Sequence, residues 1–200
     1  KMDFLFKMIG EILNSSKLED TKRLYEIVAS VKSRAQVNLT GAGHSTAVLR
    51  AAAYSSPMAA FQDEMAGIGY YQFIEKLEKD FEQRKEETVE ELCKLMKKIL
   101  RPENFMISYT GERESLETVQ KLAGAVKAGL GTEPVEKSKE KLTCTKKNEG
   151  FKTSGQVQYV AQTGNFKKKG LEYTGALEIL KVILSYDYLW MNLRVKGGAY

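Results

Sequence analysis

Apolar side chains return every three or four residues through most of this 200-residue chain, and only three prolines interrupt them. Such spacing lays one apolar stripe along each of a series of helices, so helix should outweigh strand. Phe4, Leu5, Met8, Ile9, Ile12 and Leu13 mark the first stripe. Leu24, Ile27, Val28, Val31 and Ala35 mark the second, entered at Asp20-Thr21. Gly41-Ala42-Gly43 then interrupts the pattern, and Ser45 is placed to cap a third helix through Val48, Ala51 and Ala52, whose small side chains permit close packing. Pro57 opens a further turn. Residues 68–81 and 89–100 supply two more helical stretches, with Cys93 among the apolar positions of the second.

Arg101-Pro102 ends that run. Beyond it Phe105, Ile107 and Tyr109 alternate with Met106 and Ser108, a strand signal, and a helix is expected over 114–130. Residues 131–150, with Gly131, Pro134, Gly150 and many charges, read as a linker. Val157, Tyr159 and Ala161 then alternate with their neighbours as a second strand, and Tyr173, Leu177, Leu180, Leu184 and Tyr188 trace a last helix. The expectation is an α+β fold. Residues 1–143 form a helix-rich domain with a small sheet, and residues 144–200 form the beginning of a second α+β domain, too short to stand alone.

The net charge of +5 sits in the last part, where residues 144–200 hold nine Lys/Arg against four Asp/Glu while residues 1–143 are neutral. Lysines dominate this excess and fall in expected loops, without the arginine and aromatic clustering of a nucleic-acid reader, so nucleic acid is not the expected partner. No apolar stretch is long enough to span a bilayer, and no membrane partner is expected. The two cysteines, Cys93 and Cys144, lack metal-type spacing, and neither a disulfide framework nor a signal peptide is expected.

His44 is the only histidine, which excludes a multi-histidine zinc site within these residues; it reads as a packed residue near a helix start. Gly41 to Thr46 resembles the opening of a dinucleotide fingerprint but lacks the third glycine and the strand before it. The end of the chain is more specific. Gly197-Gly198 would ordinarily be a helix cap and turn. Arg194 before it and Tyr200 after it add a guanidinium and a phenol that a tight turn could aim at one peptide carbonyl, or at the oxyanion formed on it.

Gln156 to Val160, Gly175-Ala176-Leu177, Asp187 to Trp190 and Leu193 to Tyr200 together resemble the presequence-protease branch of the pitrilysin/insulinase zinc metallopeptidases. Gly43-His44-Ser45, Arg50-Ala51-Ala52, Ser56-Pro57 and Gly67 to Tyr71 resemble the segment that precedes this ending in the same branch. The likeness runs through nearly the whole chain in order. It implies part of the C-terminal half of a two-half enzyme that encloses unfolded peptides in a chamber. The zinc, held by an HxxEH motif, would lie in the N-terminal catalytic half of the same polypeptide, and none would be bound here. Arg194 and Tyr200 stand at the family's catalytic Arg and Tyr, and Gly197 and Gly198 at its substrate-contacting turn. The residues by themselves would then be inactive. The Lys-rich, Pro-poor composition favours a bacterial cytoplasm, with an organelle matrix if the source is eukaryotic. The other reading open at this point is a non-catalytic helical module that binds a peptide or protein.

Overall fold

The computed structural model describes residues 1–135, 141–153 and 155–199. Seven α-helices make its first part: α1 (Met2–Ser15), α2 (Thr21–Gly41), α3 (Gly43–Ala53), α4 (Pro57–Ala66), α5 (Ile68–Lys79), α6 (Phe81–Ile99) and α7 (Leu116–Ala128). An eighth, α8 (Ala176–Ile183), runs on as a π-helix over Leu184–Val195.

Local chemistry fixes some of the boundaries. The Asp20 carboxylate accepts from the Arg23 amide at 3.0 Å and starts α2. Ser56 accepts from the Ala59 amide, and Pro57 takes the first helical position, where its missing N–H costs nothing. Only Ala42 separates α2 from α3, so the glycine pair breaks the helix less than its composition suggests. Ser45 falls inside α3 and caps nothing; Ala42 holds the cap position without a side-chain hydrogen bond.

The core lies where α2, α5 and the start of α6 meet. Phe81, 1% exposed, packs with Val28 and Ile74, and Leu24, Val31, Tyr70 and Leu77 close around them. Tyr25 adds a tilted ring contact to Phe81 at 5.4 Å. Lys32 of α2 reaches Glu78 of α5 at 2.6 Å along the edge of this core. The small side chains of α3 and α4 let those helices pair closely, with Ala53 and Ala59 buried between them. α1 lies on α7, where Val126 comes to within 4.0 Å of a Cβ placed on Gly10.

The α+β expectation fails. Among the described residues there is no strand: Phe105 to Tyr109 and the segment around Gln156 to Ala161 are extended or irregular and pair with nothing. Alternation gives a segment the side-chain pattern of a strand, but a strand exists only when a neighbour takes up its N–H and C=O groups. Met106 (90% exposed) and Val160 (84% exposed) show how little packs on either segment. The architecture of the described residues is helical.

Burial is uneven. The molecule exposes 16454 Å², against about 9,500 Å² for a compact monomer of this mass. Much of the surplus is apolar. Ile179, Leu180, Val182, Ile183, Tyr186 and Trp190, all on α8 and its π extension, are exposed, and this helix makes no extensive contact with α1–α7. An apolar face this broad on one helix normally packs against a partner.

Candidate functional site

The last helix ends in a turn that only its glycines allow. Each π-type bond spans five residues instead of four, as in Lys196 N–H to Met191 C=O at 3.0 Å. Gly198 takes a left-handed φ of +64°, its amide bonding the Arg194 carbonyl at 3.1 Å, while Ala199 reaches the Leu193 carbonyl at 3.0 Å. This is the reciprocal closure of a Schellman cap, opened by one residue to fit the wider π turn before it. A Cβ on Gly197 would stand 2.6 Å from the Leu193 carbonyl oxygen and 2.8 Å from that of Asn192, so no side chain fits there.

Arg194 thus stands on the final turn of the π-helix, one turn above Trp190, with its guanidinium 5.4 Å from the indole centroid. Such stacking at an exposed site contributes about 0.5–1 kcal/mol and orients the planar fork. Among the described residues Arg194 has no carboxylate partner, so its N–H donors stay available to an incoming acceptor. Gly197 and Gly198 do form the expected turn beside it. Tyr200 lies outside the described residues.

A second cluster gathers at Arg50, in the last turn of α3. Its Nη1 donates to Asp63 Oδ2 at 2.6 Å, and its Nε and Nη2 donate to the two Glu149 oxygens at 2.8 and 3.3 Å. Tyr54 accepts from Nε at 3.2 Å and donates its own hydroxyl to Glu149. Burial works against the charged guanidinium, but the bonds to Glu149, Asp63 and Tyr54 outweigh it and raise the Arg50 pKa. The Arg50 hydrogen bond is the main influence on Glu149 and lowers its pKa. Burial, then the Glu149 hydrogen bond, raise that of the Tyr54 phenol.

Asp63, 2% exposed, is the buried polar residue of the described core. Its oxygens also accept from the Ile68 amide at 3.0 Å and the Gly69 amide at 3.1 Å, so one carboxylate caps α5 from the end of α4 while neutralising Arg50. The approach is so close that a Cβ on Gly67 would overlap Oδ1, and one on Gly69 would lie 2.8 Å from Oδ2. The run Gly67-Ile68-Gly69 is therefore shaped around Asp63. Every arm of this guanidinium is engaged, which suits a structural knot rather than a turnover site.

His44 packs its ring 6.3 Å from that of Tyr159. Cys93 and Cys144 are half-buried free thiols. Among the described residues no three His, Cys, Asp or Glu side chains are placed to hold a metal ion, so these residues do not fit a zinc site. No described helix is long and apolar enough to cross a membrane.

A family model for the region associated with the peptidases of metallopeptidase family 16, subfamily C, matches residues 1–77. These take in α1 to α4 and nearly all of α5, including Arg50, Asp63 and Gly67. Over its whole length the chain is 34% identical to "Protein HypA" of Clostridium perfringens (strain 13 / Type A), covering 20% of that protein. These likenesses support a fragment of a pitrilysin-type peptidase of that subfamily. It is also 27% identical to "Presequence protease 1, chloroplastic/mitochondrial" of Arabidopsis thaliana, and 26% identical to "Presequence protease, mitochondrial" of Yarrowia lipolytica (strain CLIB 122 / E 150). All of this chain aligns with each, covering 19% and 20% of those proteins. The chain thus spans about one fifth of the length of these curated relatives. The family match bears out the resemblance carried by the Gly43, Arg50 and Gly67 motifs.

Sequence reasoning singled out Arg194 and the glycine turn but passed over Asp63 and Glu149. Asp63 looks like one more acid on an exposed helix face. The signal that could have found it is the pair of glycines four and six residues downstream, at a helix junction.

Proposed function

We propose that this chain is a non-metal-binding segment of the C-terminal half of a zinc-dependent peptidase that degrades unfolded peptides in a closed chamber. Its partners in that reading are the peptide substrate and the N-terminal catalytic half of the same polypeptide, which would carry the zinc. The observation that carries the reading is the closed turn at Gly197-Gly198, with the Arg194 donors uncommitted above it. Arg194 and Tyr200 would hold the scissile carbonyl and stabilise the charge that develops on its oxygen. One such donor is worth about 3 kcal/mol in a preorganised site. Gly197 and Gly198 would let the peptide backbone approach this turn closely.

The uncovered apolar helix from Ala176 to Val195 supports a role inside a larger assembly of domains, since such a surface needs a cover that the described residues lack. The same surface favours the second reading, a non-catalytic helical module that binds a peptide or protein. Compartment follows the relatives' names only loosely. They include a bacterial protein and chloroplast and mitochondrial ones, and a bacterial cytoplasm is our preference.

Cleavage of a fluorogenic unstructured peptide by the full polypeptide, with and without a zinc chelator, separates the two readings. Chelator-sensitive cleavage, with none by residues 1–200 alone, is the expected result. A zinc-loaded full polypeptide inactive on a broad peptide panel would favour the binding module.

A further inference from the structure

From residue 141 to the last helix the described residues have little regular structure, yet side chains pin them to the helical body at separate points. Glu149 sits on Arg50 of α3 and on Tyr54, the residue just after that helix. Phe151 follows, its ring 5.7 Å from the same guanidinium. Ten residues beyond Glu149, the Tyr159 ring lies so close against Gly43 that a Cβ there would overlap it. Asn165 then donates its side-chain amide to the Ser55 carbonyl at 3.4 Å. The contacts fall in turn on the C-terminal part of α3, on its first residue, and just past its end. The segment therefore runs down α3 and comes back.

We propose that the described residues of 141–153 and 155–165 form a strap that docks on α3 through these side-chain pegs and releases as a unit while the helical body stays folded. None of the strap's described residues is buried, and no backbone ladder ties it down. What holds it is a small number of side-chain contacts set against the chain entropy that docking removes. The body does not depend on them in return. Asp63 keeps Arg50 paired when Glu149 leaves, and the core around Phe81 lies away from α3. Glu149 is the strongest peg, since it alone is charge-assisted and engages two groups of the body at once.

The test is trypsin nicking of the full polypeptide at neutral pH, followed by mass spectrometry at Lys146, Lys147 and Lys152. Cuts at Lys32 and Lys76 report on the body. Glu149→Gln should speed cutting in the strap about fivefold or more. Tyr159→Ala should do so by a smaller factor, the double variant should exceed either, and body sites should keep their wild-type rates. Strap cutting unchanged in both single variants would overturn the proposal. So would acceleration that appears equally at Lys32 and Lys76, because the strap would then be an integral part of the helical fold and not a separable element.

Discussion

Helices α2–α6 and the helix from Ala176 to Val195 are both apolar enough to need a core, but only the first set builds one for itself. In the body, Phe81, Val28 and Ile74 vanish from solvent, and Asp63 ties three helices together through one guanidinium and two backbone amides. In the last helix the comparable side chains face outward, with Trp190 51% and Ile179 65% exposed, and the closing turn is satisfied entirely by its own backbone. The body's interactions are long-range and mutual, whereas those of the last helix are local. A local element can be well formed and still have nothing to pack on. It draws little stability from the body and contributes little in return.

That contrast breaks most sharply at Asp63. Replacing Asp63 by Ala leaves the half-buried Arg50 with only Glu149 to balance its charge and strips the α5 amides of their cap, and should cost the helical body about 4 kcal/mol in urea unfolding followed by circular dichroism. A loss under about 1 kcal/mol would show that the knot is decoration. Gly67→Ala forces a Cβ into the Asp63 carboxylate and its Cα, 2.9 Å away. It should cost about 2 kcal/mol by the same measurement. Leu189→Ser, on the uncovered helix, should change the body's stability by less than about 0.5 kcal/mol. A large loss there would mean that the last helix packs on the body in solution.

The sequence shows the body far better than the rest. Helical periodicity, the entry at Asp20-Thr21 and the small residues of α3 act within a few positions of themselves and are legible, whereas the turn expected at Pro57 is the first residue of α4, capped by Ser56. The strand signals at Phe105–Tyr109 and near Val157–Ala161 misled because alternation is a property of one segment, while a sheet is a relation between two. Ser45 misled for a smaller reason. The break between α2 and α3 is a single residue at Ala42, so the helix had begun before the serine was reached. Asp63 and Glu149 were invisible because their partner Arg50 is 13 residues from one and 99 from the other. For the candidate site, Arg194 and the two glycines were legible as an ordered set, and the turn they form follows from glycine's conformational freedom. The π-helix that carries Arg194 over Trp190 was not, since i→i+4 and i→i+5 bonding present nearly the same apolar pattern.

The central claim is that this chain lends donors to a peptidase's reaction and not merely surface to its fold. Steady-state cleavage of an unstructured peptide by the full polypeptide, wild type against Tyr200→Phe, tests it most directly. The account predicts a kcat lowered about a hundredfold with KM changed by less than about threefold, since the lost hydrogen bond serves the transition state. An unchanged kcat would contradict it.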